Sequence, residues 1–221
     1  MKYFIIENTT DAEVSENIEQ VKGVKHNCDI WNDKNFIDKS PFVEIKKTPI
    51  LSNIILNPKS DNTDLIKAGG VGFSFGSMLI SSKLKNILTQ FNCFGIQFFE
   101  TYLIKDNTKI QNYWQTHISE ISYKNIDFSN TKILLKDRDK NRKPIEKYLD
   151  KTNEEDFINM VKFIEYPKMI FLKNLSFKKD IDFDYFFIRH YEGIGYGIVS
   201  EKLKKAIEKE KITGINFKEI I

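Results

Sequence analysis

The chain has 221 residues, of which 41% are hydrophobic and 29% are charged, and it carries a formal net charge of +3. With 18 Phe residues, this composition excludes a disordered chain and is typical of a globular protein that buries a substantial core. The small positive charge is weak evidence for a nucleic-acid partner, because abundant Lys, Asn and Ile can follow from AT-rich coding alone.

The same bulk features bear on location. No window of the sequence has the apolar length of a membrane helix, and the opening residues 1–7 are too short and too soon charged for a signal peptide. Cys28 and Cys93 do not make a disulfide framework. We therefore expect a cytoplasmic protein without membrane contact.

The first third of the chain reads as strands joined by loops. We expect an opening strand at residues 2–7 and short strands at 42–46 and 52–56. Residues 61–70 end in Gly69-Gly70, which predicts a turn. This boundary separates an N-terminal strand and loop region, 1–70, from a domain at 71–221, and we expect the two to form one continuous globular unit.

Two segments of the domain at 71–221 are similar to each other without a gap. Residues 80–100 align with residues 199–219, and the identical pairs are Ser81/Ser200, Lys83/Lys202, Leu84/Leu203, Lys85/Lys204, Gly95/Gly214, Ile96/Ile215, Phe98/Phe217 and Glu100/Glu219. Each segment has a Ser at the N-cap of a helix, an apolar helix face and a Gly before a final strand. The similarity predicts two repeated strand–helix–strand units at 78–100 and 197–219.

The helix faces in these units are expected to be buried. Their apolar residues recur at helical spacing. They are Leu84, Ile87, Leu88, Leu203, Ala206 and Ile207.

Between the two units, the sequence predicts a strand at 111–121 and a charge-dense linker at 136–152. Asn153 is the expected N-cap of a helix whose apolar face includes Phe157. Further strands are expected at 169–172, 181–190 and 194–199, with a turn at Glu192-Gly193. The fold class is therefore α+β, with mixed, largely antiparallel sheets and the two repeated units.

Ser74 lies in a G-x-S-x-G pattern, which is typical of the nucleophile in hydrolases. In hydrolases this pattern forms a tight turn with a strand before the Ser and a helix after it. Here residues 67–70 are a poor strand, and residues 78–80 look like a strand rather than a helix. His117 and His190 follow in the chain, but neither has an orienting partner nearby in sequence, so both are interpreted as core or edge residues. A hydrolase centred on Ser74 remains an alternative function.

Asp180, Asp182 and Asp184 alternate with apolar residues, which would place three carboxylates on one face of a strand. This face could be solvated, could hold a hard cation in a metal-dependent enzyme, or could form an acidic stripe against a basic partner. Between the last two, we favour the partner stripe. Glu192 and Trp31 are added as candidate partner contacts, although a Trp is more often a core residue.

No pattern in the sequence supports a catalytic set, a metal site or a cofactor. The glycines at 193, 195 and 197 do not have the spacing of a dinucleotide fingerprint. The basic run at 132–147 lacks interleaved aromatic residues, which makes it a poor groove for single-stranded nucleic acid. A small nucleic-acid-binding module remains a second alternative function, of a different class from the hydrolase.

Three phrases resemble one known family. They are residues 80–88 (ISSKLKNIL), residues 199–217, which begin VSEKLK and contain ITGINF, and residues 125–129 (NIDFS). They are similar to immunity proteins of bacterial polymorphic toxin systems, of the type numbered eleven and its relative forty-three, formerly a domain of unknown function. The resemblance covers about residues 70–221, and Asn130 and Thr131 depart from the family's commoner form.

The resemblance implies a protein that is not an enzyme and that binds and neutralises a cognate toxin. It carries over no active-site residues, because the matching positions are scaffold positions. The implied partner is a protein toxin met in the cytosol, with no cofactor and no metal.

Overall fold

The computed structural model describes residues 2–9, 19–74, 76–149 and 152–220. Its thirteen described strands are β1 (Tyr3–Asn8), β2 (Val21–Lys25), β3 (Asn53–Leu56), β4 (Leu65–Ile66), β5 (Leu79–Ser81), β6 (Ile96–Lys105), β7 (Thr108–Ile118), β8 (Lys132–Arg138), β9 (Pro144–Leu149), β10 (Met169–Lys173), β11 (Tyr185–Tyr191), β12 (Ile194–Ser200) and β13 (Ile215–Glu219). The described α-helices are α1 (Ser82–Leu88), α2 (Glu154–Phe163) and α3 (Glu201–Lys209), and short 3-10 helices occur at Ile37–Lys39 and Tyr123–Asn125. The architecture is α+β with a majority of strands.

These strands form two sheets. The seven-stranded sheet has the order β13-β1-β12-β11-β10-β8-β9, and the six-stranded sheet has the order β2-β3-β6-β7-β5-β4. Among the described pairs, only β10–β11 and β3–β6 are parallel. The sheets are therefore mixed and largely antiparallel, as the sequence predicts.

Strand β1 comes from the start of the chain but lies inside its C-terminal part. It pairs antiparallel with β12 on one side and with β13 on the other. Its side chains alternate between two cores, with Ile5 in one and Phe4 and Ile6 in the other. The N-terminal residues are thus a central part of the larger sheet.

Hydrophobic clusters lie on both faces of the larger sheet and within the smaller one. One face packs against α2 through Phe157. The opposite face packs against α1 and α3, and this cluster includes Leu84 and Leu203. A third cluster belongs to the six-stranded sheet and contains Ile54 and Leu79.

Local sequence signals explain where the helices begin. Ser81 Oγ accepts a hydrogen bond from Leu84 N at 3.2 Å, and Ser200 Oγ accepts one from Leu203 N at 3.1 Å. Asn153 Oδ1 caps α2 by accepting from Asp156 N at 2.8 Å. The predicted helix faces are buried at Leu84, Ile87, Leu88, Leu203 and Ile207, whereas Ala206 is half-buried.

Three predictions of local structure from the sequence are wrong. Residues 136–149 are not a linker but most of the β8–β9 hairpin, while residues 150 and 151 lie outside the described residues. The charges are tolerated because β9 is an edge strand whose side chains are mostly exposed, and edge strands commonly carry Lys and Pro. Residues 42–46 form no strand, and the strand expected from 181 begins only at Tyr185.

Candidate partner-binding surfaces

Trp31 is a surface residue, with 75% of the side chain exposed. The turn that carries it is held by Asp29, whose Oδ1 accepts from the backbone N–H groups of Trp31 at 2.9 Å and Asn32 at 3.2 Å. Lys39 Nζ donates to the Trp31 carbonyl at 2.8 Å. An ordered backbone therefore presents an indole to solvent, which is a common feature of protein interfaces.

Hydrogen bonding also affects the Asp29 carboxylate. Asn32 Nδ2 donates to Asp29 Oδ2 at 2.8 Å, and this bond is the main reason why the pKa of Asp29 lies below its ordinary value. The ionised carboxylate is the form that accepts all three hydrogen bonds. Asp29 therefore has a structural role in presenting Trp31.

The three aspartates at 180, 182 and 184 do not share one solvated strand face, so that part of the sequence interpretation is wrong. Asp180 lies in a turn, Asp182 lies in an irregular segment, and both are exposed. Asp184 is 8% exposed and immediately precedes β11. The alternation predicted from sequence survives as alternating exposure at 180–183 but ends at Asp184.

The burial of Asp184 has a local cause. Its Oδ1 accepts from Ser200 Oγ at 2.7 Å and its Oδ2 accepts from Asn92 N at 3.2 Å. Lys202 Nζ lies 3.7 Å from Oδ2. These neighbours satisfy a carboxylate that supports the start of α3, so Asp184 is not free to pair with a partner.

Glu192 lies at the β11–β12 turn and is exposed. Its Oε1 is 3.6 Å from Lys173 Nζ, an ion pair at the surface. Such exposed pairs contribute little to stability and can exchange partners readily. Glu192 is therefore accessible to a partner, as are Asp180 and Asp182.

Ser74 lies in a turn with no hydrolase geometry around it. Its Oγ donates to Asp38 Oδ2 at 2.9 Å, and that same oxygen accepts from Gly72 N at 2.6 Å. The next described strand begins at Leu79, and Phe75 of the pattern lies outside the described residues. Among the described residues, no His side chain is hydrogen-bonded to Ser74, so no general base is in place.

The two downstream histidines occupy packed positions. His117 Nε2 donates to the Val43 carbonyl at 2.8 Å, and burial lowers the pKa of His117. Burial also lowers the pKa of His190, whose ring lies 6.2 Å from that of Phe157. Both are largely buried groups with structural neighbours.

The glycine pattern after Glu192 is explained by close packing. A Cβ on Gly195 would overlap the ring of Phe187, as would a Cβ on Gly76. A Cβ on Gly197 would lie 2.9 Å from Tyr185 Oη. Gly195 and Gly197 therefore make room for aromatic side chains of the neighbouring strand β11 rather than for a dinucleotide.

Other reactive groups are dispersed. Cys28 and Cys93 are free thiols, and burial raises the pKa of Cys93 to about 12. Across residues 2–9, 19–74, 76–149 and 152–220, no three His, Cys, Asp or Glu side chains are grouped so that they could hold a metal ion. In the same ranges, no helix is long and apolar enough to span a bilayer.

A model of a protein family matches nearly the whole chain. The model of an immunity protein family, Imm11, matches residues 2–221. No curated protein matches the chain. The match extends over the N-terminal third, which agrees with the position of β1 between β12 and β13.

Proposed function

Because the chain belongs to the Imm11 family of immunity proteins, we propose that it binds a cognate bacterial protein toxin in the cytosol and neutralises it. The observation that carries this proposal is the family match over nearly the whole chain. The protein acts by binding, without catalysis and without a cofactor. The hydrolase, metal-enzyme and nucleic-acid alternatives gain no support from the described residues.

The surface of the protein supplies candidate contacts. Trp31 is an exposed aromatic anchor on an ordered turn. Asp180, Asp182 and Glu192 are exposed carboxylates that can face Lys or Arg on the partner. We retain these four residues as partner contacts and omit Asp184, because its carboxylate is engaged within the protein.

Co-expression tests the function directly. The genes that flank this one are first searched for a multidomain toxin, and its toxic domain is then expressed in bacteria with and without the chain while growth is followed. We expect the chain to restore growth and to form a complex that co-purifies at a fixed ratio. Continued killing together with no complex would overturn the proposed function.

A substitution series tests the contacts. Trp31→Ala should raise the Kd of the complex by about tenfold or more, since buried Trp anchors are common hot spots. Val71→Ser, which alters another exposed apolar side chain, is the matched control and should leave the Kd unchanged. Equal affinity of the Trp31→Ala and wild-type chains would remove Trp31 from the interface.

We also infer that segments 78–100 and 197–219 are two copies of one unit. Both contain a strand, a helix and a strand, with an antiparallel strand between the two: β7 between β5 and β6, and β1 between β12 and β13. The registers correspond. Ser81 pairs with Tyr113 as Ser200 pairs with Tyr3, and Glu100 pairs with Trp114 as Glu219 pairs with Phe4.

Contacts around the two caps support the same inference. Ser81 Oγ donates to Asp64 Oδ1 at 2.6 Å, and Ser200 Oγ donates to Asp184 Oδ1 at 2.7 Å. Asp64 Oδ2 then accepts from Thr213 N, after α3, whereas Asp184 Oδ2 accepts from Asn92 N, after α1. The aspartate that binds the Ser cap of one unit thus also binds the helix-to-strand connection of the other unit. Superposition of the two segments in an experimental structure tests the equivalence, and a mismatch of the helices would refute it.

A further inference from the structure

Exposed apolar side chains are concentrated in one part of the chain. Six of the ten large hydrophobic side chains that are exposed in the described residues lie within residues 145–169. They are Ile145, Tyr148, Ile158, Phe163, Tyr166 and Met169. Phe163 and Tyr166 are 72% and 80% exposed. Single exposed apolar residues are ordinary, but a concentration of them marks an interaction surface.

Strand pairing brings much of this set to one end of the larger sheet. Met169 lies opposite Lys136, which in turn lies opposite Glu146. The connection from α2 to β10 therefore lies beside the turn of the β8–β9 hairpin. We define the hairpin corner as residues 136–148 together with residues 163–169.

A second row of side chains continues the same face of the sheet. Phe171 lies opposite Leu134, which lies opposite Tyr148. This row is two residues, or roughly 7 Å, from the row that contains Met169. Lys136 connects the rows, since its Nζ lies 5.6 Å from the centre of the Phe171 ring. The half-buried Phe171 and the exposed Tyr148 therefore lie on the same face of the sheet as Met169, with the buried Leu134 between them.

The β8–β9 hairpin is strongly basic, whereas residues 163–169 add one Lys and one Glu, which balance. Residues 132–149 contain seven Lys and Arg but only three Asp and Glu. All three acids are engaged within the hairpin: Glu146 Oε1 is 2.6 Å from Lys136 Nζ, Asp137 Oδ1 accepts from Arg138 N, and Asp139 Oδ1 accepts from Asn141 N. The local excess of positive charge is therefore not compensated locally.

Six basic side chains of the hairpin have no ion pair with any described residue. They are Lys132, Arg138, Lys140, Arg142, Lys143 and Lys147, and each is exposed. Within the described part of the chain, none of them has a carboxylate oxygen within 4.0 Å. Unpaired cations beside exposed aromatic residues favour a partner that supplies negative charge.

The turn that carries three of these cations is ordered by its own hydrogen bonds. Asp139 N donates to the Lys143 carbonyl at 2.9 Å, and Arg142 N donates to the Asp139 carbonyl at 2.9 Å. Asp139 Oδ1 also accepts from Lys143 N at 2.8 Å. A preformed turn reduces the entropy lost on binding.

We propose that the hairpin corner is a docking surface for an acidic patch of a protein partner, with Phe163, Tyr166 and Met169 at its apolar centre and the unpaired cations at its rim. Tyr, Phe, Met and Arg are enriched in the centres of interfaces, and rim charges accelerate association and set orientation. The proposal rests on the proposed function, because the partner is then the toxin. The partner's matching surface would present apolar side chains surrounded by Asp and Glu.

Two variants of the full-length chain test the rim and the centre separately. The rim variant is Lys140→Glu/Arg142→Glu/Lys143→Glu, and the centre variant is Phe163→Ser/Tyr166→Ser. The probe is the purified toxic domain found by the search of the flanking genes, with association and dissociation rates measured at low and high salt. We expect the rim variant to slow association at least about tenfold at low salt and to flatten its salt dependence. The centre variant should dissociate at least about tenfold faster.

Matched controls make the same kinds of substitution at other positions on the surface. Lys22→Glu/Lys25→Glu/Lys59→Glu reverses three exposed charges near β2 and β3 on the smaller sheet, and Val71→Ser removes an exposed apolar side chain away from the corner in sequence. Both controls should bind as the wild type does. Because the altered side chains are exposed, all variants should keep the wild-type melting temperature within a few degrees.

The outcomes separate this proposal from the one on which it rests. If the wild type does not bind the toxic domain, both proposals fall. If the wild type binds and both corner variants bind equally well, only the hairpin corner is refuted. Retention of single-stranded DNA or self-association, lost in the corner variants while toxin binding is unchanged, would assign the surface to nucleic acid or to a second copy and would likewise refute it.

Discussion

At the scale of single residues, neighbours in space decide what a carboxylate does. Asp184 and Asp64 each accept a hydrogen bond from the Ser that caps a helix, and each also binds a backbone N–H of a distant segment. Sequence spacing alone grouped Asp184 with Asp180 and Asp182. It could not show that Ser200 and Asn92 would meet its carboxylate, because these contacts cross long stretches of chain.

The two caps should differ in their contribution to stability. Ser200→Ala removes a fully buried hydroxyl and leaves the buried Asp184 carboxylate short of a donor, which should cost about 2–3 kcal/mol. Ser81→Ala should cost about 1 kcal/mol, because Ser81 and Asp64 are only partly buried. Urea unfolding measures both, and an equal loss would contradict the difference in burial.

Stability should fall in mild acid because His117 is buried. Burial lowers its pKa in the folded protein, although the Val43 carbonyl and Asp38 act in the opposite direction. Below its ordinary pKa of about 6.5, the unfolded chain binds a proton that the folded chain does not, so the free energy of unfolding decreases as pH falls. His190 contributes in the same direction, also through burial.

His117→Gln tests this, since the Gln side chain can still donate to the Val43 carbonyl but does not titrate. Urea unfolding near pH 7.5 and near pH 5.5 should show a smaller loss for the variant than for the wild type. The comparison uses the change with pH, so a general loss of stability in the variant does not affect it. An identical loss in both proteins would exclude His117 as a source of the pH dependence.

Ser74 should not react as a nucleophile. Its hydroxyl donates to Asp38, and no His among the described residues is hydrogen-bonded to it. A fluorophosphonate probe should therefore leave the wild type unlabelled. Labelling of the wild type that is absent from Ser74→Ala would show that a base reaches Ser74 after all.

At the scale of elements, helices were easier to predict than strands. A polar cap followed by apolar residues at helical spacing is a local signal, and it located the starts of α1, α2 and α3. The β8–β9 hairpin was missed because neither of its strands alternates apolar and polar residues along its length. The aromatic neighbours of the hairpin come from residues 163–169, so no local reading of the basic run could include them.

The matching helices α1 and α3 should both contribute to the main core. Leu84 and Leu203 are fully buried in the same cluster. Replacing either by Ala should cost about 2–5 kcal/mol through lost burial and the cavity left behind. Lys205→Ala, on the exposed side of α3, is the control and should change the free energy of unfolding by less than about 0.5 kcal/mol. Unchanged unfolding of both Leu variants would mean that the helix faces are misassigned.

At the scale of the whole molecule, the chain returns to its start to complete its largest sheet. The sequence resemblance was confined to residues 70–221 because β1 carries no turn, cap or glycine signal. Its short apolar run nevertheless lies between two strands from the other end of the chain. Long-range pairing of this kind is not visible in local patterns, although it joins the N-terminal residues to the rest.

The position of β1 predicts that residues 71–221 do not fold alone. Without β1, the facing edges of β12 and β13 lose their partner, and the core shared with α1 and α3 loses Phe4 and Ile6. A chain that begins at residue 19 should fail to unfold cooperatively, and so should one that begins at residue 71. Adding a peptide of residues 2–9 should restore cooperative unfolding to the first of these.

Lys2→Ala is the control, because it removes only the exposed ion pair with Glu219 and should leave stability nearly unchanged. Circular dichroism during heating distinguishes the outcomes, and a cooperative transition of the 71–221 chain near that of the full-length protein would show that β1 is an accessory strand.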